Sequence, residues 1–162
     1  MNAIRYIQSI YNIIFKPRRV IGLPVHINIE PSTFCNYHCA MCSRNLIDRP
    51  QNMSFDFFKN IIEQINPHKL SLNGYGEPFM NRDIFRMIEF ANSKKISVVT
   101  TTNGSMLLKD AAEIAKIDIS VLRVSLDSPD SETYKKIRNS ESFQNVVDGI
   151  FALQEMYRNN NK

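Results

Sequence analysis

The sequence predicts an α/β fold: a partial (βα) barrel of about four parallel βα units behind an N-terminal amphipathic helix. Three observations predict this class. Segments rich in β-branched residues alternate four times with segments of helical periodicity, which is typical of parallel sheets. Polar or glycine-containing stretches follow the predicted strands, where parallel βα folds gather functional groups. With 162 residues, 43% of them hydrophobic, the chain is long enough for one domain with a buried core.

The four strands and the helices after them follow from hydrophobic periodicity. Strands are expected over residues 25–30, 69–73, 96–101 and 120–126. Three of the helices that follow have apolar residues on one face: Phe58, Ile61, Ile62 and Ile65; Ile84, Phe85, Ile88 and Ala91; Leu107, Ala111, Ile114 and Ala115. Ser54 and Asn81 are the expected N-caps of the first two of these helices. A last helix is expected over residues 143–157.

The N-terminal helix is predicted over residues 2–15 and ends at a basic segment, residues 16–19. It has an apolar face formed by Ile4, Ile7, Tyr11 and Ile14. Such a helix can contact a membrane surface, but the interpretation we prefer is packing on the rest of the domain or on a partner chain. The chain therefore divides into residues 1–20, the helix and linker, residues 21–158, the core, and residues 159–162, a polar tail.

Composition and charge exclude several function classes. The net charge of +4 is spread along the chain without a basic, aromatic-interleaved patch, so we expect no nucleic-acid partner. No apolar run is long enough to cross a bilayer. Arg5, Gln8 and Asn12 interrupt the apolar residues at the N-terminus, so no cleavable signal is expected. We expect a cytoplasmic protein, in which thiols stay reduced and clustered cysteines bind metal or act in catalysis.

The three cysteines of the chain, Cys35, Cys39 and Cys42, lie together in the loop after the first predicted strand. Three thiols at this spacing can converge on one metal centre, but the fourth ligand of a closed site is missing. They could hold three irons of a [4Fe–4S] cluster and leave the fourth iron free. Zinc is the alternative, with His38 as fourth ligand, although adjacent side chains rarely reach one ion.

The fourth strand has a polar face in addition to its apolar one. Leu122, Val124 and Leu126 should face the covering helices, and Arg123, Ser125 and Asp127 should point the other way. A parallel strand packed on both sides is apolar on both faces. The polar face therefore predicts a cavity lined for a polar ligand, and an exposed face of the sheet is the other explanation.

Four sequence motifs, in order, resemble those of the radical S-adenosylmethionine (SAM) superfamily. They are the cysteine loop, the glycine–glutamate–proline stretch at residues 74–78, and the segments at residues 101–104 and 124–128. The resemblance runs from about residue 25 to residue 127. It is greatest to the molybdenum cofactor biosynthesis protein A and to the SPASM-type peptide-modifying enzymes.

The resemblance implies two cofactors, a [4Fe–4S] cluster and S-adenosylmethionine. Cys35, Cys39 and Cys42 would ligate the cluster, and the methionyl end of S-adenosylmethionine would chelate the open iron. The residues expected to bind S-adenosylmethionine are Met41 (adenine), Gly74, Gly76, Glu77 and Pro78 (amino end), Ser125 (ribose or carboxylate), Thr101 and Asp127. Structural explanations also exist: Glu77 as a carboxylate at a helix N-terminus, Ser125 as a small inward residue, and Asp127 as a helix cap.

The resemblance also implies an enzyme that cleaves S-adenosylmethionine reductively, forming a 5′-deoxyadenosyl radical for hydrogen abstraction. The substrate, a peptide or a small metabolite, is not indicated, and an electron donor such as flavodoxin or ferredoxin is expected. Four βα units are predicted where the family's barrel usually has six. We therefore expect part of a longer protein or a short form whose barrel a second polypeptide or a dimer completes. A non-catalytic cluster-binding module and a zinc-stabilised structural domain are the alternatives.

Overall fold

The computed structural model describes residues 3–159, which form one parallel four-stranded sheet with helices packed against it. The strands lie side by side in chain order and are β1 (His26–Ile29), β2 (Lys69–Leu72), β3 (Ser97–Thr102) and β4 (Val121–Val124). The helices are α1 (Ala3–Phe15), α2 (Phe55–Ile65), α3 (Ile84–Ser93), α4 (Leu107–Lys116), α5 (Ser131–Arg138) and α6 (Phe143–Asn159). The predicted fold class is confirmed; β1, β2 and β4 are shorter than expected, and β3 is shifted by one residue. Residues 1 and 2 and residues 160–162 lie outside the described residues, and the domain limits stay predictions.

The core lies between the sheet and the helices. Leu70 and Leu72 of β2 and Val98 of β3 are completely buried beneath α2 and α3. On α4 the predicted apolar face is the buried one: Leu107, Ala111, Ile114 and Ala115. All strand pairs are parallel and in simple register, for example Ile29 opposite Leu72. The carboxyl ends of the four strands, and the loops that follow them, therefore meet at one edge of the sheet.

Two of the expected helix caps are corrected by the structure. Ser54 caps α2 as predicted, and its hydroxyl accepts the Phe57 N–H. Asn81 does not cap α3, which begins after Asp83; its amide donates to the carbonyls of Pro31 and Met53 at 2.7 and 2.9 Å. The alternative role of Asp127, a helix cap, is also wrong. Asp130 caps α5 by accepting the Thr133 N–H at 2.9 Å.

The apolar face of helix α1 does not pack on the rest of the domain, one of the two arrangements preferred from the sequence; packing on a partner chain stays a prediction. None of its residues is buried, and its predicted apolar stripe faces outward. Hydrogen bonds tie the helix to the domain, since the Arg5 guanidinium donates to the carbonyls of Ile65 and Asn66 at 3.0 and 2.7 Å. Among the described residues, no helix is long and apolar enough to span a bilayer.

Candidate functional site

A cavity of about 350 Å³ opens at the carboxyl edge of the sheet. Nine of the predicted site residues line it: Cys35, Cys39, Met41, Cys42, Gly74, Gly76, Glu77, Thr101 and Ser125. Pro78 is buried behind the wall, at the start of a short 3-10 helix, and Asp127 is not part of the lining. The loops after all four strands therefore contribute to one cavity.

The cysteine loop is held in place by helix α5. The Ala40 N–H donates to the Ile137 carbonyl at 2.9 Å, and the Tyr134 hydroxyl donates to that of Tyr37 at 3.2 Å. All three cysteines are free thiols; Cys39 is buried and the other two are half-buried. The pKa of the Cys35 thiol is raised, and burial of the side chain is the largest cause. The three thiols thus share one cavity wall fixed by contacts between protein groups.

Two side chains that the sequence analysis missed donate toward the thiols. Arg138, only 9% exposed, directs Nη1 at the Cys39 Sγ over 3.7 Å, and its guanidinium pairs with Asp127. Asn103 Nδ2 lies 3.7 Å from the Cys35 Sγ. The Arg138 Nε is buried without a hydrogen-bond partner in the described part of the chain. A buried cation beside the cysteines stabilises the negative charge that thiolate ligands carry.

Glu77 joins the loop after β2 to the loop after β3. One carboxylate oxygen accepts the Thr102 hydroxyl at 2.7 Å and the Phe79 N–H at 3.2 Å, and the other accepts the Asn103 N–H at 2.6 Å. The residue is 2% exposed, and burial raises the pKa of its carboxyl. Because these contacts are with neighbouring segments, Glu77 fixes the loop after β2 to the end of β3 and the loop that follows it.

Gly76 stands where two loops touch. A Cβ on this residue would lie 2.0 Å from the Ser32 carbonyl oxygen, in the loop after β1. Its N–H donates to Glu30 Oε1 at 3.2 Å, and the same oxygen accepts the Tyr75 N–H. Glu30, which ends the predicted first strand, was not identified from the sequence. An ammonium group needs acceptors, so the carbonyl groups of this loop are the ones suited to the amino end of the cofactor.

Replacing Gly76 by alanine should destabilise the protein, because the backbone atoms of Ser32 cannot move aside independently of the cysteine loop. We expect the free energy of unfolding to fall by about 1–3 kcal/mol, measured by urea denaturation. Gly74→Ala is the matched control and should lose less, since its Cβ would meet the Glu30 side chain, which can rotate at the cost of its hydrogen bonds, whereas the backbone of Ser32 cannot. Equal losses in the two variants would contradict the assigned role of Gly76.

The remaining predicted residues occupy different parts of the cavity. Ser125 is half-buried just beyond β4, and its N–H donates to the Thr102 carbonyl at 2.9 Å. Met41 is 60% exposed at the mouth. Asp127 has a φ of 59° and pairs with Arg138, so it positions that guanidinium. Leu122 and Val124 pack on the core as predicted, and Ser125, on the polar face, lines the predicted cavity.

The donor set suits an iron–sulfur cluster. Within residues 3–159, no group of three or more His, Cys, Asp and Glu side chains is placed to hold a single metal ion. Zinc requires its ligands at about 2.0–2.3 Å from one point, and His38, the suggested fourth ligand, is exposed. In a cubane cluster each thiolate binds a different iron, so the sulfurs stand further apart. The three thiols on one wall, with Arg138 beside them, fit that arrangement.

Comparison with known proteins identifies the family. The radical SAM superfamily matches residues 29–161. The chain belongs to the radical SAM superfamily. Radical SAM members use a [4Fe–4S] cluster and S-adenosylmethionine, which confirms the cofactor prediction at the level of the family. The predicted resemblance, which named this superfamily, is confirmed as well.

Individual radical SAM relatives are similar over part of their length. GTP 3′,8-cyclase of Helicobacter pylori is 29% identical over 135 residues, covering 77% of this chain and 41% of that protein. Mycofactocin maturase MftC of Mycolicibacterium smegmatis is 26% identical over 151 residues, covering 91% and 38%. The chain thus spans about two fifths of the length of these curated relatives.

Solved radical SAM structures share the fold. Streptococcus suis SuiB superposes with a TM-score of 0.68 at 21% identity, over 85% of this chain and 31% of that one. SuiB has also been solved bound to S-adenosylmethionine and to the precursor peptide SuiA. At this identity the likeness establishes the (βα) architecture alone.

Proposed function

We propose that this chain holds a [4Fe–4S] cluster on Cys35, Cys39 and Cys42 and binds S-adenosylmethionine in the adjoining cavity as a radical SAM enzyme. The observation that carries the proposal is the convergence of the three thiols and the glycine–glutamate–proline loop on one cavity at the strand ends. When bound, the cluster would supply the electron for reductive cleavage of S-adenosylmethionine, which gives the 5′-deoxyadenosyl radical used for hydrogen abstraction.

The residues of the chain position the reactants. Glu77 and Gly76 hold the loop after β2 against the loops after β1 and β3, which keeps its carbonyls at the cavity wall. Ser125 and Thr101 line the same cavity, and their hydroxyls are suited to a ribose or a carboxylate. Met41 covers the mouth, where an apolar side chain can contact an adenine ring. Fixed placement of this kind is the main protein contribution to such chemistry.

The proposed substrate is a peptide or a small metabolite that enters from the open side of the cavity, with a flavodoxin or ferredoxin as electron donor. Two kinds of relative support this range: the cyclase is named for GTP, and SuiB has been solved with a precursor peptide.

One anaerobic experiment tests the proposal. The chain is reconstituted with iron and sulfide, reduced with dithionite, mixed with S-adenosylmethionine and assayed for 5′-deoxyadenosine by liquid chromatography. Cluster loading with 5′-deoxyadenosine formation is the expected result. A loaded cluster without cleavage would favour a non-catalytic cluster-binding module, and stoichiometric zinc without iron uptake would favour a structural zinc domain. Either result would overturn the proposed activity.

Replacing Arg138 by methionine should lower the reduction potential of the cluster. The guanidinium directs an N–H at the Cys39 Sγ, and such donors and nearby positive charge favour the reduced, more negative cluster. We expect a shift on the order of tens of millivolts, measured by a redox titration followed by electron paramagnetic resonance. Arg86→Met, at an exposed arginine of α3, is the control and should leave the potential unchanged. An unchanged potential in the Arg138 variant would exclude this electrostatic role.

A further inference from the structure

Helix α1 faces the domain with its polar side and solvent with its apolar side. Arg5 bonds to the carbonyl groups at the end of α2, and the Asn12 side chain bonds to both the N–H and the carbonyl of Ile21. On the opposite side Ile4, Ile7 and Ile14 are 69%, 63% and 64% exposed. Amphipathic helices of globular proteins normally turn the apolar face inward. The reversed orientation is therefore a feature that needs an apolar partner.

The charged residues of the segment that carries this face are all of one sign. Residues 1–29 contain four basic residues and no acidic one. Three of the basic residues follow α1 directly and are exposed. We call the combined patch the α1 surface; its members are Ile4, Ile7, Ile10, Ile13, Ile14, Phe15, Lys16, Arg18 and Arg19. Its partner must be apolar and negatively charged.

We propose that the α1 surface binds the surface of an anionic lipid membrane. An interfacial helix buries its apolar side at the boundary between headgroups and acyl chains, while neighbouring basic residues attract anionic headgroups. The 13 residues of α1 extend about 20 Å, shorter than the hydrocarbon core of about 30 Å, so the helix lies in the membrane plane.

A second copy of the chain fits the α1 surface less well. Packing two such surfaces face to face would place Lys16, Arg18 and Arg19 of both copies in one interface, with no countercharge on either α1 segment. No acidic residue within residues 1–29 is available to pair with them. Anionic headgroups provide the missing countercharge.

The position of α1 keeps membrane binding separate from the proposed cavity chemistry. Tyr6 contacts His68 with ring centroids 5.3 Å apart, and Arg5 reaches the last residues of α2. Both contacts lie at the amino ends of the strands, whereas the cavity opens at the carboxyl ends. A membrane beneath α1 would leave the mouth of the cavity facing water.

Vesicle flotation with the whole chain tests the proposal. Vesicles are made either of phosphatidylcholine alone or of equal parts phosphatidylcholine and phosphatidylglycerol, at low and high sodium chloride. We expect the protein to float with the anionic vesicles only, and less at high salt. Replacing Lys16, Arg18 and Arg19 together by serine should lower the partition coefficient about a hundredfold, at about 1 kcal/mol for each charge.

A second variant tests the apolar part of the surface. Ile7→Ser combined with Ile14→Ser should lower vesicle binding at least tenfold, while Phe151→Ser, an equally exposed apolar residue of α6, should not. Circular dichroism checks that the variants fold. The proposal would be overturned if the protein floated equally with both kinds of vesicle, or if it floated with neither. The proposal would also be overturned if the unmodified chain did not bind vesicles but self-associated, as measured by light scattering, and if the double isoleucine variant abolished that self-association. None of these readouts depends on 5′-deoxyadenosine formation.

Discussion

Replacing Cys39 by serine should leave the reconstituted chain without its cluster, so that its iron content falls from about four atoms per chain to near background. Cys39 is the most buried of the three thiols and lies beside Arg138. Serine keeps the size of the side chain and removes the soft sulfur ligand that iron prefers. With two thiols remaining, the cluster would have only two protein ligands. Iron analysis and the visible absorption of the reconstituted protein measure the loss.

The control for the cysteine variant is Ser43→Ala, which changes a residue lining the same cavity that has no proposed ligand role. It should load iron normally and form 5′-deoxyadenosine. Circular dichroism of both variants shows whether the fold is retained. Normal iron content in the Cys39 variant would contradict the ligand assignment, even if turnover were lost.

The second large effect is expected for Glu77→Ala. The substitution removes the acceptor for three donors in a site that is almost fully buried. Each unsatisfied buried donor costs about 1–3 kcal/mol, so we expect the free energy of unfolding to fall by about 3 kcal/mol or more. Glu77→Gln should lower the free energy of unfolding less, because its remaining oxygen can still accept from Thr102 and Phe79. It should still cost some stability, because its new amide group faces the Asn103 N–H, which is also a donor. Urea denaturation measures both.

An exposed glutamate provides the matched control. Glu113 on α4 pairs with Lys116 at 2.8 Å on the surface, and such pairs contribute about 1 kcal/mol at most. Glu113→Ala should therefore have a much smaller effect than Glu77→Ala. Similar losses in the two variants would show that the Glu77 contacts do not fix the loops.

Glu77 should also give the stability a dependence on pH. Burial raises the pKa of this carboxyl in the folded state. Between the ordinary glutamate pKa and the raised value, the folded chain binds more protons than the unfolded chain. The contribution of Glu77 to the free energy of unfolding therefore falls as the pH rises through that interval. Glu77→Gln should lack this contribution, and denaturation of both proteins from pH 4 to pH 8 (about the range in which such a carboxyl titrates) measures the difference.

The sheet and the cavity residues were predictable because both follow from regular patterns. Apolar residues with strand and helix periods defined the elements, and the carboxyl-edge rule brought Cys35, Gly76 and Ser125 to one cavity. Arg138 was not predictable, since it lies in a helix turn with other basic residues and its neighbour Cys39 is 99 residues away in the chain. Glu30 was not predictable for the same reason, since the Tyr75 N–H that it accepts lies 45 residues further along the chain.

Local features misled the sequence analysis in two places. Several polar residues near α3 and α5 could act as caps, and the choice among Asn81, Asp83, Asp127 and Asp130 depends on where each loop is anchored. For α1, the hydrophobic pattern showed two faces but not which one faces the domain. Two hydrogen bonds from Arg5 to carbonyl groups determine that orientation.

The contacts of the cysteine loop bear on how a metal centre would be assembled. Ala40 and Tyr37 are attached to α5, and Gly76 lies against the backbone at Ser32, so the loop takes its course from bonds between protein groups. Its conformational entropy is then lost during folding, before any iron arrives. Cluster insertion into such a preorganised receptor carries little ordering cost. Insertion of iron and sulfide would then require little rearrangement of this loop.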